Sequence, residues 1–125
     1  MERPVLVVDD DVDICSMLTA ILESELGIST VQAFSGEEAL NKVRESKPSL
    51  VLLDMRMPGG IGGLETIKRL KSDRTTRSIP VIGMSAAVPE AMGLLAGCDD
   101  FIPKPFDIGY FTRRVQQHLQ TQRAN

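Results

Sequence analysis

The chain has 125 residues and a net charge of −3, with 42% hydrophobic and 25% charged residues. These totals are ordinary for one soluble globular domain that buries about two thirds of its unfolded surface. They exclude the basic excess that holds nucleic acid or an anionic membrane, and no apolar run reaches the roughly 20 residues of a membrane span. Because no secretory signal is recognisable at the N-terminus, we expect a cytoplasmic protein.

The chain has few of the side chains that bind zinc or build catalytic triads. Its two cysteines, Cys15 and Cys98, lack the spacing of a metal site and are too few for a disulfide framework, so reduced thiols are expected. His118 is the single histidine. This argues against a histidine-rich zinc site, and we expect His118 at the surface or an interface.

Short apolar runs alternate along the chain with segments of helical periodicity. The first run, PVLVV at 4–8, is typical of a strand buried on both faces, and a helix follows over 12–26. Ser35 is expected to cap a second helix, with Glu38 completing a capping box. The apolar stripe of the first helix is predicted to comprise Ile14, Met17, Leu18, Ile21 and Leu22. The remaining predicted strands are 28–34, 49–54, 79–84 and 100–103, and the remaining predicted helices are 64–72, 89–96 and 107–120.

Five alternations of strand and helix predict an α/β fold: a parallel sheet with helices on both faces, joined by right-handed crossovers. No repeat or linker interrupts the pattern. We therefore expect a single domain over residues 1–125, with a core at about 4–120 and a polar tail at 121–125 that frays.

Polar side chains follow the predicted strands at the points where they end. Asp9 and Asp10 come after the first strand, Asp54 ends the third, Ser85 ends the fourth and Lys104 follows the fifth. Because ligands of open parallel sheets bind at the carboxyl ends of the strands, we expect these five side chains to converge at one edge.

Such a convergence suits phosphoryl transfer. Clustered carboxylate oxygens favour Mg²⁺, which binds a few carboxylates together with water and phosphate. With the metal bound, one carboxylate can attack phosphorus, and the metal and the lysine can neutralise the transferring group. The serine hydroxyl can donate a hydrogen bond to a phosphoryl oxygen.

Four segments, VVDD (7–10), LLDMRMPG (52–59), VIGMSA (81–86) and DDFIPKPF (99–106), together resemble the receiver domain of bacterial two-component response regulators. The resemblance covers the whole chain in the right order. It implies a flavodoxin-like fold of five parallel strands in the order 2-1-3-4-5.

The resemblance also implies a role for each matching residue. Asp54 would be the phosphoacceptor, and Asp9 and Asp10 would organise Mg²⁺, with Asp10 as a direct ligand and Asp9 acting through water. The backbone carbonyl of Arg56 would complete the protein's ligands to the metal. Ser85 would occupy the hydroxyl position that contacts the phosphoryl group.

Two further positions complete the implied switch. Lys104 would pair with the phosphoryl oxygens, and the Lys104–Pro105 peptide bond would be cis, which X-Pro bonds adopt at modest cost. Phe101 matches the aromatic switch position, which rotates inward as Ser85 moves toward the phosphate.

The implied function is a phosphorylation-dependent signalling switch rather than a turnover enzyme. The phosphoryl group would come from a histidine kinase or histidine phosphotransfer protein, and a downstream effector protein or domain would read the changed conformation. Direct contact with nucleic acid or membrane is not expected, and homodimerisation stays open.

Three other interpretations can be compared with the switch, and the sequence argues against each. A receiver-like interaction module would not use phosphate, but retention of the full acidic, hydroxyl and lysine set argues against it. An aspartate-nucleophile phosphatase needs a DxD motif followed by Thr or Val, where this chain has Asp13, and usually a cap domain. A calcium loop beginning D-x-D-x-D at Asp9 would need Gly at its sixth and Glu at its twelfth position, where Ile14 and Ala20 stand. Asp11 and Asp13 are instead expected to favour the start of the first helix.

Two departures from the family pattern affect the loops near the site. The glycine-rich segment after Pro58 is about one residue longer than usual. The interval from Ser85 to Lys104 is about three residues short, close to one helical turn, so we predict a shortened fourth helix.

Overall fold

The computed structural model describes residues 3–124, and it describes side chains for residues 3–119. Strands and helices alternate along this part of the chain, as predicted. The strands are β1 (Val5–Val8), β2 (Thr30–Ala33), β3 (Leu50–Asp54), β4 (Val81–Ser85) and β5 (Asp100–Pro103). The helices are α1 (Val12–Leu26), α2 (Gly36–Ser46), α3 (Gly62–Ser72), α4 (Glu90–Ala96) and α5 (Ile108–Ala124).

The five strands form one parallel sheet in the order β2-β1-β3-β4-β5. This confirms the predicted fold. In the register, Val8 lies beside Leu53, Asp54 beside Met84 and Ser85 beside Pro103. The carboxyl ends of β1, β3, β4 and β5 therefore meet at one edge, and the residues that follow them are brought together.

Helices cover both faces of the sheet. One buried cluster joins alternate strand residues to α1 and α5, through Leu18 and Phe111 among others. The other cluster joins the remaining strand residues to α2 and α3, through Val43 and Ile67. Side chains of a strand point alternately to its two faces, and all four residues of β1 are fully buried. The prediction that the run at 4–8 forms a strand buried on both faces is confirmed by β1.

Helix α1 has well-defined ends. The Asp11 side chain accepts hydrogen bonds from the backbone N–H groups of Asp13 and Ile14, so Asp11 is the N-cap. Gly27 ends the helix in the left-handed region, with φ of 63°. The expectation that Asp11 and Asp13 serve the start of the helix agrees with this arrangement.

The predicted apolar stripe of α1 was partly wrong. Met17 is 51% exposed, and Ile14 and Ile21 are half-buried. The fully buried positions are Cys15, Leu18 and Leu22. At 3.6 residues per turn these three share one face, while position 17 lies roughly 130° around the helix axis from its centre.

The predicted cap of α2 is present with one difference. Ser35 Oγ accepts a hydrogen bond from Glu38 N at 3.1 Å, as in a capping box. Glu38 Oε1, however, accepts from Phe34 N at 2.6 Å rather than from the N-cap residue itself. The side chain therefore ties the helix start to the chain just after β2.

Several boundaries differ from the sequence prediction. Strand β2 is confined to four residues because Gly27 turns the chain before it and the α2 cap turns it afterwards. Strand β4 begins two residues late, since Ile79 N bonds to Thr76 O in a preceding turn. Helix α3 begins at Gly62, two residues earlier than predicted.

The fourth helix is short, as predicted: α4 has seven residues. Helix α5 continues to Ala124, beyond its predicted end at 120. The prediction of a frayed tail concerns 121–125, whose side chains lie outside the described residues, as does all of residue 125. Among the residues described, no helix combines the length and apolar character required to cross a bilayer.

Candidate functional site

Three carboxylates meet at the carboxyl edge of the sheet. One oxygen from each of Asp9, Asp10 and Asp54 lies within 4.8 Å of the others. Strand β1 delivers Asp9 and Asp10, and β3 ends on Asp54. Asp9 is 1% exposed and Asp54 6% exposed, whereas Asp10 is open to solvent. The structure therefore places these three predicted residues together, with one of them at the entrance.

Lys104 brings a positive charge to the same point. Its Nζ lies 3.6 Å from Asp9 Oδ2 and 3.8 Å from Asp54 Oδ1. The Lys104 backbone N–H donates to Ser85 O at 3.0 Å, which fixes the end of β5 against β4. The peptide bond from Lys104 to Pro105 is cis, as the resemblance implied.

Only one of the two carboxylate oxygens of Asp9 accepts a hydrogen bond from the described residues. Its Oδ1 accepts a hydrogen bond from Asp11 N at 2.9 Å, but Oδ2 is fully buried and has no hydrogen-bond partner among the described residues. Burial raises the pKa of Asp9 to about 6. This value already includes smaller effects: the Asp11 N–H and Lys104 lower the pKa, while the negative charge of Asp54 and the Asp10 side chain raise it.

These observations fit a divalent cation. Three carboxylates carry up to three negative charges, and Lys104, the one ammonium near them in the described part of the chain, cannot neutralise the set. A buried carboxylate oxygen without a donor is costly unless something binds it. All the oxygens are hard ligands of the kind that Mg²⁺ prefers, and the exposed Asp10 leaves room for water and phosphate.

Ser85 and Asp54 are oriented by backbone N–H groups. The buried Ser85 Oγ accepts from Ala87 N and from Val88 N, each at 2.9 Å. Because those bonds use acceptor capacity only, the hydroxyl proton is available to donate. Asp54 Oδ1 accepts from Arg56 N at 3.1 Å, which holds the carboxylate while the exposed Arg56 side chain points away from the core.

Phe101 occupies an inward position. Its side chain is 2% exposed and packs closely against two glycines. A Cβ on Gly93 would lie 2.6 Å from Phe101 Cδ2, and one on Gly83 would lie 3.2 Å from it. Helix α4 and strand β4 therefore leave space for the ring only because they carry glycine there. The rotation of Phe101 stays a prediction.

Sequence reasoning missed a charged cluster on β5 and α5. Asp100 accepts hydrogen bonds from Arg114, and its Oδ2 lies 2.9 Å from His118 Nε2. The Arg114 guanidinium also lies over the Tyr110 ring at 5.5 Å. Although burial opposes ionisation, the bonds from Arg114, His118 and Phe101 N lower the pKa of Asp100. The i, i+4 spacing of Arg114 and His118 was the one available signal.

The comparisons with known proteins agree with this site. A sequence model described as the response regulator receiver domain matches residues 5–116. The DNA-binding response regulator MtrA of Mycobacterium tuberculosis is 37% identical over 120 residues, which cover 96% of this chain and 52% of that protein. The phosphate regulon transcriptional regulatory protein PhoB of Escherichia coli is 39% identical over 119 residues, covering 93% and 51%. The chain thus spans about half the length of these curated relatives.

Solved structures give the same result. A putative response regulator from Chloroflexus aurantiacus has a TM-score of 0.87 and 30% identity, covering 96% of this chain and 99% of that one. The receiver domain of the Francisella response regulator 1452 has a TM-score of 0.86 and 32% identity, covering 97% and 99%. With its strand order, its acidic edge and the family match over most of its length, this chain belongs to the response regulator receiver domains of two-component signal transduction.

Proposed function

We propose that this chain is a phosphorylation-dependent switch in which Asp54 accepts a phosphoryl group in a Mg²⁺-dependent reaction. The donor is the phosphohistidine of a partner histidine kinase or histidine phosphotransfer protein. The observation that carries the proposal is the position of the Asp54 carboxylate, which lies beside two other carboxylates and 3.8 Å from the Lys104 ammonium. A nucleophile, a metal site and a charge-neutralising amine thus lie within reach of one phosphorus atom.

Each residue has a defined part in the transfer. Asp9, Asp10, Asp54 and the backbone carbonyl of Arg56 would hold Mg²⁺, which when bound polarises the phosphoryl oxygens and offsets the carboxylate charges. An Asp54 oxygen attacks phosphorus, the P–N bond to the donor breaks, and its electron pair returns to the imidazole nitrogen. The product is an acyl phosphate on Asp54.

Lys104 and Ser85 act on the oxygens of the transferring group. The Lys104 ammonium neutralises part of their charge, and the Ser85 hydroxyl donates a hydrogen bond with the proton that its backbone contacts leave available. Slow hydrolysis of the acyl phosphate then returns Asp54 to its starting state. The site promotes its own modification, and receiver domains are signalling switches rather than turnover enzymes.

The output is a shift between two conformations. Movement of Ser85 toward the phosphate, coupled to the position of Phe101, would change the surface formed by α4, β5 and α5, and an effector protein or domain would read that change. The name of MtrA states that it binds DNA. For residues 1–125, treated as one receiver domain, the net charge of −3 supports contacts with proteins rather than with nucleic acid.

A small phosphodonor tests the proposal without knowledge of the kinase. The protein is treated with acetyl phosphate and Mg²⁺, and intact mass is measured. We expect one phosphoryl group on the parent, none on Asp54→Ala, and none when EDTA replaces Mg²⁺. The matched control is Asp13→Ala, which removes an exposed acid of the first turn of α1 and should still be phosphorylated. An unmodified parent, or phosphate on His118 or a serine, would contradict the proposal and favour the interaction-module alternative.

A further inference from the structure

A cleft opens at the amino-terminal edge of the sheet, opposite to Asp54. It has a volume of about 190 Å³ and lies between the residues before β1, the end of α2 and the segment that leads into β4. Its floor is apolar, formed by Val43 and Ile79, which are both buried. Because pockets for drug-sized ligands measure about 300–1,000 Å³, this amino-edge cleft has room for a fragment-sized molecule.

Three cationic side chains line the amino-edge cleft: Arg3, Arg44 and Lys47. All three residues are exposed, and none forms an ion pair with another described residue. The one side-chain hydrogen bond among them joins Arg44 to Asn41 Oδ1 at 3.5 Å. Three cations around one concavity are notable in a chain whose net charge is −3, because their mutual repulsion would be relieved by an anion.

The carboxylate of Asp73 lies close enough to Arg44 to offset part of this positive charge. The pKa of Asp73 is lowered first by hydrogen bonds from Thr75 and to a smaller extent by the charge of Arg44. Asp73 Oδ1 accepts from both Thr75 N and Thr75 Oγ1, so the carboxylate is held in the loop rather than paired with Arg44. Asp73 thus offsets part of the positive potential without closing the cleft.

The wall on the β4 side is held in place by side-chain hydrogen bonds to backbone carbonyl groups. Thr76 Oγ1 donates to Leu70 O at 2.6 Å, and Lys71 Nζ donates to Arg77 O and Ile79 O. Ser78, on the same wall, has an exposed hydroxyl that hydrogen-bonds to none of the described residues. The cleft therefore combines a buried apolar floor, an available hydroxyl donor and exposed cationic side chains.

We propose that the amino-edge cleft binds a small organic phosphate, a site separate from the phosphoacceptor. Its phosphate would lie between Arg3, Arg44 and Lys47, and its short carbon skeleton would lie over Val43 and Ile79. Arginine presents paired donors that match phosphate oxygens, and lysine adds a point charge. A dianionic head is favoured over a single carboxylate because three cations face it.

The test uses phenyl phosphate as the probe, with amide chemical shifts of the ¹⁵N-labelled protein as the readout. EDTA is present throughout so that binding at the Mg²⁺ site does not contribute. We expect saturable shifts at amides of residues 43–47 and 75–79. Inorganic phosphate should bind more weakly because it lacks the apolar part, and phenol should cause no saturable shift there.

Variants sharpen the test in both directions. Arg44→Gln and Lys47→Asn should each weaken binding by about two- to fivefold, the scale of one exposed ion pair. Asn also tolerates the left-handed backbone of residue 47, where φ is 45°. Asp73→Asn should tighten binding. Arg113→Gln is the matched control, an exposed arginine on α5 across the sheet, and should bind like the parent.

The proposal fails if phenyl phosphate shifts none of these amides, or if phenol shifts them equally. It also fails if the two cleft variants, shown to be folded by the dispersion of their own spectra, bind as tightly as the parent and the control. Higher salt should weaken binding, because the contacts are largely exposed ion pairs.

Discussion

Asp9 and Asp100 are two buried or nearly buried aspartates at strand ends, and they differ in their hydrogen bonds and in the direction of their pKa shifts. Asp100 begins β5 with both oxygens bonded, by Arg114, His118 and a backbone N–H, and its pKa is lowered. Asp9 follows β1 with one buried oxygen that has no donor among the described residues, and its pKa is raised to about 6. We therefore expect that Asp100 stabilises the fold through fixed partners, whereas Asp9 has a carboxylate oxygen left to bind a ligand.

The energetic consequence follows from desolvation. A buried charge is stabilising only where geometry and hydrogen bonds replace its lost water. Asp100 meets that condition within its own domain. Asp9 has one hydrogen bond, from Asp11 N, and the Lys104 ammonium at 3.6 Å, and it also lies near the negative charge of Asp54. The metal-free site therefore carries unfavourable electrostatic free energy. Binding of a dication would release it.

The largest effect is expected for Asp9→Asn. Loss of the Asp9 charge, which would act on the metal through water, should weaken Mg²⁺ binding by about 10–100-fold, measured by calorimetric titration. In the metal-free protein at pH 7, the same change should increase the free energy of unfolding, by up to about 3 kcal/mol for a shift from 3.8 to about 6. Urea unfolding followed by circular dichroism measures this gain.

The gain at Asp9 should depend on pH in a defined direction. Because the folded pKa is raised, the stability contribution of Asp9 is fully present below about 3.8 and is lost as pH rises through about 6. The advantage of Asp9→Asn over the metal-free parent should therefore be near zero at pH 3.5 and complete by pH 7. A difference independent of pH would show that charge is not its cause.

Asp100→Asn is expected to change the free energy of unfolding in the opposite direction. Loss of the charge-assisted bonds to Arg114 and His118 should decrease the free energy of unfolding by about 1–3 kcal/mol at pH 7. Because the folded pKa is lowered, this contribution is present above the usual aspartate value and disappears as pH falls through the folded one. Unchanged stability at pH 7 would refute the comparison.

Mg²⁺ itself should separate the two sites. At a concentration ten times the dissociation constant, binding to the folded state alone should stabilise the parent by about 1.4 kcal/mol. Asp100→Asn should gain the same increment, since its side chain is remote from the acidic edge. Asp9→Asn should gain at most about 0.4 kcal/mol, because its Mg²⁺ affinity is at least about tenfold weaker. The measurement is the shift in the urea midpoint with and without Mg²⁺, and an equal gain in both variants would be contrary to the site assignment.

The smallest effect is expected for Asp11→Ala. Removal of the α1 cap should decrease stability by about 1 kcal/mol, because two backbone N–H groups lose their acceptor. Mg²⁺ affinity should remain within about twofold of the parent if Asp11 caps the helix rather than binding the metal. A large loss of Mg²⁺ affinity would place Asp11 among the ligands after all.

Much of the fold was predictable because its signals are local. The apolar strand runs, the Gly27 stop and the Ser35 cap each depend on a few neighbouring residues. The convergence of Asp9, Asp54 and Lys104 followed from one rule on parallel sheets. Positions that several elements determine jointly were harder. The exposure of Met17 depends on which face of α1 meets the sheet, and the α1 pattern alone allowed a wider stripe than the packing used.

The electrostatics of the site could not be predicted from the sequence. Asp9 Oδ2 lacks a hydrogen bond from the described residues because of its depth below the edge and the direction of the Asp11 N–H, neither of which is encoded locally. Likewise, Asp100 and Arg114 are 14 residues apart and meet only because α5 packs beside β5. Sequence patterns located the carboxylates, and tertiary packing decided which of them would be satisfied.

The most direct test of the phosphoacceptor locates the modified residue itself. After treatment with acetyl phosphate and Mg²⁺, borohydride reduction converts an aspartyl phosphate to homoserine, and peptide mass spectrometry identifies the position. The account predicts homoserine in place of Asp54, with none when EDTA replaces Mg²⁺. Homoserine at position 9 or 10, or a parent protein that remains unmodified, would contradict it.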